Sequence, residues 1–258
     1  MEKKKILVMM YQEGASLMDH ENRVGSNYAL RRMVADAETA IQAFADLGAE
    51  VYVCDVYYKG RDIVENEMSN VAKKVSLSAL EELCEDGLSG VALIGIHAKN
   101  GAANAFYSYT VNETAWHEYY LNGKVLGDIG IAAAYFGAFG IPVIAVSGDK
   151  AACEEAKDLL GELPCAAVKV ALKRNLSKSL EEGEAKAEII KACQEGYKKA
   201  NELSAYVVEQ PCEVKVRFNR VDFCDDCMMY NFGIAKREEP LVASKTVEKI
   251  RKYNDLRI

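Results

Sequence analysis

Apolar and polar positions along the chain fall into blocks whose period switches between strand and helix. Lys5–Met10 (KILVMM) is an apolar run of strand length. From Asn27 to Leu47, the residues Leu30, Val34, Ala37, Ile41 and Phe44 recur at helical spacing, and Gly48 follows as a natural stop. Glu50–Val56 (EVYVCDV) returns to a β-rich run. Strand, long loop, helix, strand is a βαβ unit, which predicts a parallel sheet.

The alternation continues. Leu77–Cys84 reads as a short helix and Gly90–Ala98 (GVALIGIHA) as a continuous apolar strand, the pattern expected when both sheet faces are covered. HEYYLNGKVLGD reads as a hairpin turning at Asn122-Gly123. IGIAAAYFGAFG is a helix of small residues. Ile141–Lys150 is a buried strand ending in the polar SGDK, AACEEAKDLL a helix and AAVKVAL a further strand. Leu180–Tyr206 has the stripe of a long amphipathic helix. The tail then reads as the strand EVKVRF, a loop and a final helical ASKTVEKIRKYNDL. The expected fold is α/β with three layers: a mostly parallel sheet with helices on both faces over residues 1–206, and a smaller C-terminal α+β subdomain over residues 207–258.

Composition narrows the function classes. Of 258 residues half are hydrophobic and 28% charged, enough to bury a sizeable core. A net charge of −7 disfavours nucleic acid and anionic membrane as partners. The apolar run after the basic start is too short for a signal peptide, and no run is long enough to cross a bilayer, so a cytoplasmic protein is expected. Of eight cysteines, Cys54, Cys84, Cys153, Cys165, Cys193 and Cys212 are scattered, as buried thiols would be. Cys224 and Cys227 have CxxC spacing, but no second pair accompanies them to build a zinc site. The motif reads as part of a loop.

In open α/β sheets ligands collect at the carboxyl ends of the strands. Those positions hold Tyr11, Gln12 and Glu13 after the first strand and Asp55, Val56 and Tyr57 after the second. His97, Ala98 and Lys99 follow the third, and Ser147–Lys150 a later one.

In that frame the stretches LIGIHAKNG, YLNGKVLGDIGIAAAYFGAFGIPVIAVSGDKAACEEA and AAVKVALKRN, in this order, resemble the zinc-dependent D-aminopeptidase family of the bacterial dipeptide-transport operon. The resemblance extends over nearly the whole chain and is most specific between His97 and Ala156. The family's first strand ends in Asp-x-Glu-Gly with both carboxylates on metal; here the place reads Tyr11-Gln12-Glu13-Gly14. Its second strand ends in Asp-Ser-His with a metal-bound histidine; here it is Asp55-Val56-Tyr57. The metal histidine of Gly-x-His-Ala is kept as His97. The family's catalytic histidine before Ser or Thr is replaced by Tyr109, allowing a small gap, and the glutamate of Gly-Glu-x-Gly by Asp128.

The resemblance therefore implies metal positions at Glu13, His97 and Asp128, with tyrosines at three further site positions. A two-zinc centre needs a bridging carboxylate, and tyrosine, with a pKa of about 10, is a poor substitute. The expectation is zinc or another divalent metal, one ion at most, or none. Tyr109 and Tyr57 then stand as proton donors or oxyanion partners, and Tyr11, Lys99 and Asn100 as substrate-binding groups. The implied ligand is a small peptide or amino-acid derivative, and the implied assembly a ring-shaped homo-oligomer. Three functions stay open: a divergent metal-dependent amide hydrolase, a non-catalytic relative that binds a small ligand among tyrosines, and a metal-free enzyme with His97 and a tyrosine as acid and base.

Other readings stay open beside these. Asp128 and Asp149 could each cap a following helix. His20 could add a metal ligand from its loop or simply be solvated, and His117 reads as structural or as part of a subunit contact.

Overall fold

The computed structural model describes residues 3–56 and 67–258. Tyr57 lies outside them. Its first sheet has seven strands in the order β3-β2-β1-β4-β7-β8-β9. These are β1 (Lys5–Met10), β2 (Glu50–Asp55), β3 (Lys73–Val75), β4 (Gly90–Ile96), β7 (Val143–Asp149), β8 (Cys165–Lys173) and β9 (Leu176–Ser179). All neighbours are parallel except β8 and β9.

The alternation in β1 explains the layers. Ile6, Val8 and Met10 point into one apolar cluster with α1 (Asn27–Ala45) and α5 (Glu182–Lys199), including Leu30, Ile41, Phe44 and Ile189. Leu7, Met9 and Tyr11 point the other way, into a cluster with Ile129, Tyr135 and Phe136 of α3 (Asp128–Gly137). The short α2 (Leu80–Glu85) and α4 (Lys150–Leu160) lie on that second side, through Leu80, Leu83 and Ala152. A sheet covered on both faces is the three-layer α/β arrangement expected from the sequence.

The strand order reverses between β1 and β4. From β1 the chain builds outward through β2 and β3, then returns to β4 and builds through β7 and β8 on the other side. Such a switch point opens a crevice at the strands' carboxyl ends. Glu13 follows β1 and His97 follows β4, so both are delivered there.

A second, antiparallel sheet has the order β11-β12-β10-β5-β6. It joins β5 (Trp116–Leu121) and β6 (Lys124–Leu126) to β10 (Cys212–Phe218), β11 (Lys236–Glu239) and β12 (Val242–Val247). Strands from both sides of residue 206 thus share one sheet, and its inward residues merge with the α3 side of the core. The β5–β6 turn is Asn122-Gly123, both at positive φ (48° and 78°), as its sequence predicts.

The structure corrects the tail. ASKTVEKIRKYNDL is not a helix: Val242–Val247 form β12, followed by a 3-10 turn at Tyr253–Leu256. Val242, Ala243 and Val247 are buried, and pairing to β10 on one side and β11 on the other outweighs the charged, helix-like spelling. Conversely, the segment read as a loop contains α6 (Val221–Tyr230), which places Cys224 and Cys227 one turn apart as buried free thiols. The long helix ends at Lys199 rather than Tyr206. The edge strand β9 was not anticipated, because Leu176–Ser179 has only one apolar residue. No helix among the described residues is long and apolar enough to cross a membrane.

Candidate active site

Two glycines press the ends of β1 and β4 together. Gly95 adopts φ +75°, and a Cβ there would fall 2.3 Å from the Tyr11 carbonyl oxygen. A Cβ on Gly14 would fall 2.0 Å from the Ile96 carbonyl oxygen, and the Gly14 amide donates to the Gly95 carbonyl at 2.7 Å. Only glycine permits this backbone approach. It sets Glu13, 4% exposed, beside the strand end that carries His97, 1% exposed.

The loop between β4 and β5 supplies the third group. The Tyr109 hydroxyl donates to Glu13 Oε1 at 3.0 Å, and its ring stacks on the His97 imidazole with centroids 4.0 Å apart and planes 22° off parallel. The loop is strained: Asn104, Tyr107 and Val111 all have positive φ, at 54°, 45° and 56°. It is held by many bonds. Asp149 Oδ2 accepts the Phe106 amide at 2.6 Å, the Arg174 carbonyl accepts the Tyr107 amide at 2.7 Å, and Asp128 Oδ2 accepts the Val111 amide at 2.9 Å.

His97 is oriented by its own strand end. Nδ1 lies 3.1 Å from the Ala98 carbonyl, which can only accept, so this nitrogen carries the hydrogen. Nε2 then presents its lone pair. It is buried without a hydrogen-bond partner among the described residues, 4.0 Å from Asp128 Oδ2. Asp128 is the first residue of α3; its carboxylate serves the Val111 amide and does not cap the helix, whose N-cap is Gly127. Asp149 does cap α4, accepting the Ala152 amide at 2.8 Å, and also holds the Tyr109 loop through Phe106.

Two ionisable groups behind the site, half-buried Glu155 and buried Lys169, escaped the sequence reading. Glu155 on α4 accepts the Lys99 amide at 2.7 Å; burial, the largest influence, pushes its carboxyl above the usual range, and Asp128 is among its charged neighbours. Burial likewise raises Asp149. Lys169 on β8, 2% exposed, is pulled down to about 7 by burial, against the attraction of Asp149, Asp36, Asp19 and Glu13. A buried lysine in KVAL has no sequence signature beyond its place in an apolar strand.

Of the remaining expected site residues, Tyr11 stays beside Asp128, and Lys99 and Asn100 separate from it. Tyr11 is wholly buried; burial foremost, then Tyr253 and Asp128 beside it, hold its phenol well above the ordinary value. Lys99 lines a different cleft with Lys124, Leu126, Glu154 and Asp158. Asn100 braces the loop, donating from its amide nitrogen to Thr110 Oγ1 (3.2 Å) and from its side chain to the His117 carbonyl (2.8 Å). His20 and His117 are exposed, and the His20 backbone bridges Leu176 at the β9 edge. A cavity of about 370 Å³ opens over Glu13 and Tyr109, lined also by Gln12, Tyr107 and Glu113. Among the described residues its charged lining groups are both carboxylates, Glu13 and Glu113.

The donors among the described residues do not fit a two-ion centre. Among the described residues no three His, Cys, Asp or Glu side chains are grouped to hold one metal ion. Glu13 is engaged by Tyr109, leaving His97 Nε2 and Asp128 as the facing pair.

The glycine-pinched switch point of this α/β protein thus presents a histidine and two carboxylates at one crevice. The sequence profile of the D-aminopeptidase family, peptidase M55, matches residues 5–252, and the chain belongs to that family. It is 27% identical to the D-aminopeptidase of Bacillus subtilis (strain 168) over 187 residues, 68% of this chain and 67% of that one. Its fold matches the zinc-dependent D-aminopeptidase DppA from Bacillus subtilis, a self-compartmentalizing protease, with a TM-score of 0.87 at 19% identity, covering 98% of this chain and 95% of that chain.

Proposed function

We propose that the chain hydrolyses an amide bond of a small peptide or amino-acid derivative, at a site formed by Glu13, His97, Tyr109 and Asp128 with one divalent ion at most. The observation that carries this reading is the buried Nε2 of His97, its lone pair 4.0 Å from the Asp128 carboxylate. These two side chains would be the protein donors to a single ion, and such an ion supplies a polarised water or amide carbonyl. Tyr109 stands in the place of a catalytic histidine, where its hydroxyl holds the Glu13 carboxylate and can donate a proton. The carboxylate-lined cavity suits the ammonium group of an amino-acid derivative. The family resemblance gives Tyr57, outside the described residues, the role of an alternative proton donor or oxyanion partner.

The assignment extends to the surroundings. The B. subtilis enzyme is self-compartmentalizing, and we extend a closed homo-oligomer in the cytoplasm to this chain, to be tested by light scattering of the purified protein.

Elemental analysis of protein purified without chelator, paired with hydrolysis assays on D- and L-aminoacyl amides, tests the reading. One ion per chain that is lost in His97→Ala, together with hydrolysis, is the expected result. A second reading has its own support in the Tyr109–Glu13 bond, which occupies a ligand position: the chain binds an amino-acid-derived ligand without turning it over. Metal-free, inert protein that still binds amino-acid amides would establish that reading instead.

A further inference from the structure

Lys169 reaches the site from below, though nothing in its strand announces it. Its ammonium donates to three backbone carbonyls of one loop: Glu13 at 2.5 Å, Ala15 at 2.9 Å and Met18 at 3.0 Å. It also lies 4.3 Å from the centroid of the Phe106 ring, which belongs to the Tyr109 loop. Phe106 packs with Ala15, Met18 and Ala29 in a small apolar cluster of its own.

The loop after β1 is buried almost throughout: Tyr11 to Ser16 and Met18 are all buried. A buried loop must have its polar groups satisfied by something other than water. Side chains fixed elsewhere in the fold perform that task. Asp36 accepts both the Ser16 amide and hydroxyl at 2.6 Å, Ser179 accepts the Leu17 amide at 3.0 Å, and Ser177 donates to the Met18 carbonyl at 3.1 Å. Lys169 is the one of these groups that touches both halves of the site, the Glu13 loop through its carbonyls and the Tyr109 loop through Phe106.

We propose that Lys169 is a positioning residue that sets the Glu13–Tyr109 hydrogen bond by fixing the two loops against one ammonium. The proposal rests on the site assignment above but not on any activity there. Only an ammonium supplies three N–H donors to three carbonyls at once; methionine of similar length supplies none. Without them the Glu13 loop loses its shared anchor, and the carboxylate drifts from the phenol.

The test reads that bond directly. Tyrosine labelled with carbon-13 at Cζ reports each phenol's hydrogen bonding by NMR, Tyr109→Phe assigns the relevant signal, and Glu13→Ala marks its position without the Glu13 bond. Spectra are taken at mildly acidic pH. In folded Lys169→Met the Tyr109 signal is expected to move to the Glu13→Ala position, while Tyr119 and Tyr135, buried elsewhere, keep theirs. A Tyr109 signal that stays at its wild-type position overturns the proposal, and so does an equal shift of all buried phenols, which marks general loosening. Should Lys169→Met fail to fold, Lys169→Gln, with two N–H donors on a shorter chain, decides: an intermediate Tyr109 shift supports the proposal and none overturns it. Because the readout needs neither substrate nor metal, its failure is distinct from a failure of the hydrolase reading.

Discussion

His97 Nε2 stands 4.0 Å from Asp128 Oδ2, and the same oxygen accepts the Val111 amide at 2.9 Å. The first distance is too long for a hydrogen bond and short enough for one ion to span. Asp128 therefore has two separable tasks, one for the backbone of the Tyr109 loop and one facing the imidazole. Asp128→Asn keeps an oxygen acceptor for Val111 and removes the charge. Calorimetric titration with zinc should show affinity falling by roughly tenfold or more, while stability in urea changes by less than about 1 kcal/mol. Unchanged zinc affinity would remove Asp128 from the ligand set.

The Tyr109 hydroxyl occupies Glu13 Oε1 and so competes with a metal ion drawn to that oxygen. Tyr109→Phe keeps the ring stacked on His97 and deletes the competing donor. Without metal, the variant should lose about 1–2 kcal/mol, the cost of depriving a buried carboxylate of a partner. With zinc, its affinity should exceed that of the wild type. If affinity instead falls, Tyr109 is itself a ligand and Glu13 is not released by the change.

Much of this architecture was legible in the residues, and the failures have physical causes. Long periodic blocks such as Leu30–Phe44, and apolar strands such as Gly90–Ile96, declare themselves because burial on both sheet faces demands their composition. Glu13, His97, Tyr109 and Asp128 were placed through motif order and do converge at one crevice. Lys99 and Asn100 diverged, because adjacent residues leave a strand end in different directions. Glu155 and Lys169 went unseen because their meaning lies in nonlocal contacts: Lys169 touches Glu13 across 156 positions of sequence. The tail misled because β12 is stabilised by its neighbours β10 and β11 and not by its own spelling.

Gly95 is the hinge of the crevice. Gly95→Ala places a Cβ where the Tyr11 carbonyl oxygen already sits and forces alanine into a positive φ. The clash is with backbone, which cannot rotate away. The expected loss is about 3–5 kcal/mol in chemical denaturation, within the range of the most damaging single substitutions. A loss under about 1 kcal/mol would mean that β1 and β4 do not close as tightly as this geometry requires.

Glu155 gives the pH prediction. Burial raises its carboxyl in the folded protein, so across the window from the ordinary carboxylate value up to the folded one the native state holds more protons than the unfolded. Stability contributed by this group is thus fully present below the unfolded value and declines as pH rises through the folded value. Glu155→Gln keeps an oxygen acceptor for the Lys99 amide and removes the titration. The variant should match the wild type in acid and gain on it progressively toward neutrality, as thermal melts across that range would record. A constant difference between the two at all pH values would show that Glu155 titrates as it does in water.

The tyrosine at position 11 can be turned back toward a two-ion centre. Tyr11 is wholly buried beside Asp128 and Tyr253, whose own phenol burial pushes up to about 12. Tyr11→Asp removes a ring from this core and sets a second carboxylate near Asp128, so without metal the variant should lose about 3–5 kcal/mol from the cavity and from like-charge crowding. A divalent ion would neutralise the pair and bind only the folded state, which raises stability in proportion to the logarithm of its concentration over its Kd. Tyr11→Asp combined with Tyr57→His should therefore melt higher with each increment of zinc, and adding Asp128→Asn to this background should abolish most of the gain. If zinc leaves the melting temperature unmoved, Tyr11 does not occupy the place of the bridging aspartate, and the register joining Tyr11-Gln12-Glu13-Gly14 to the metal-binding motif is wrong.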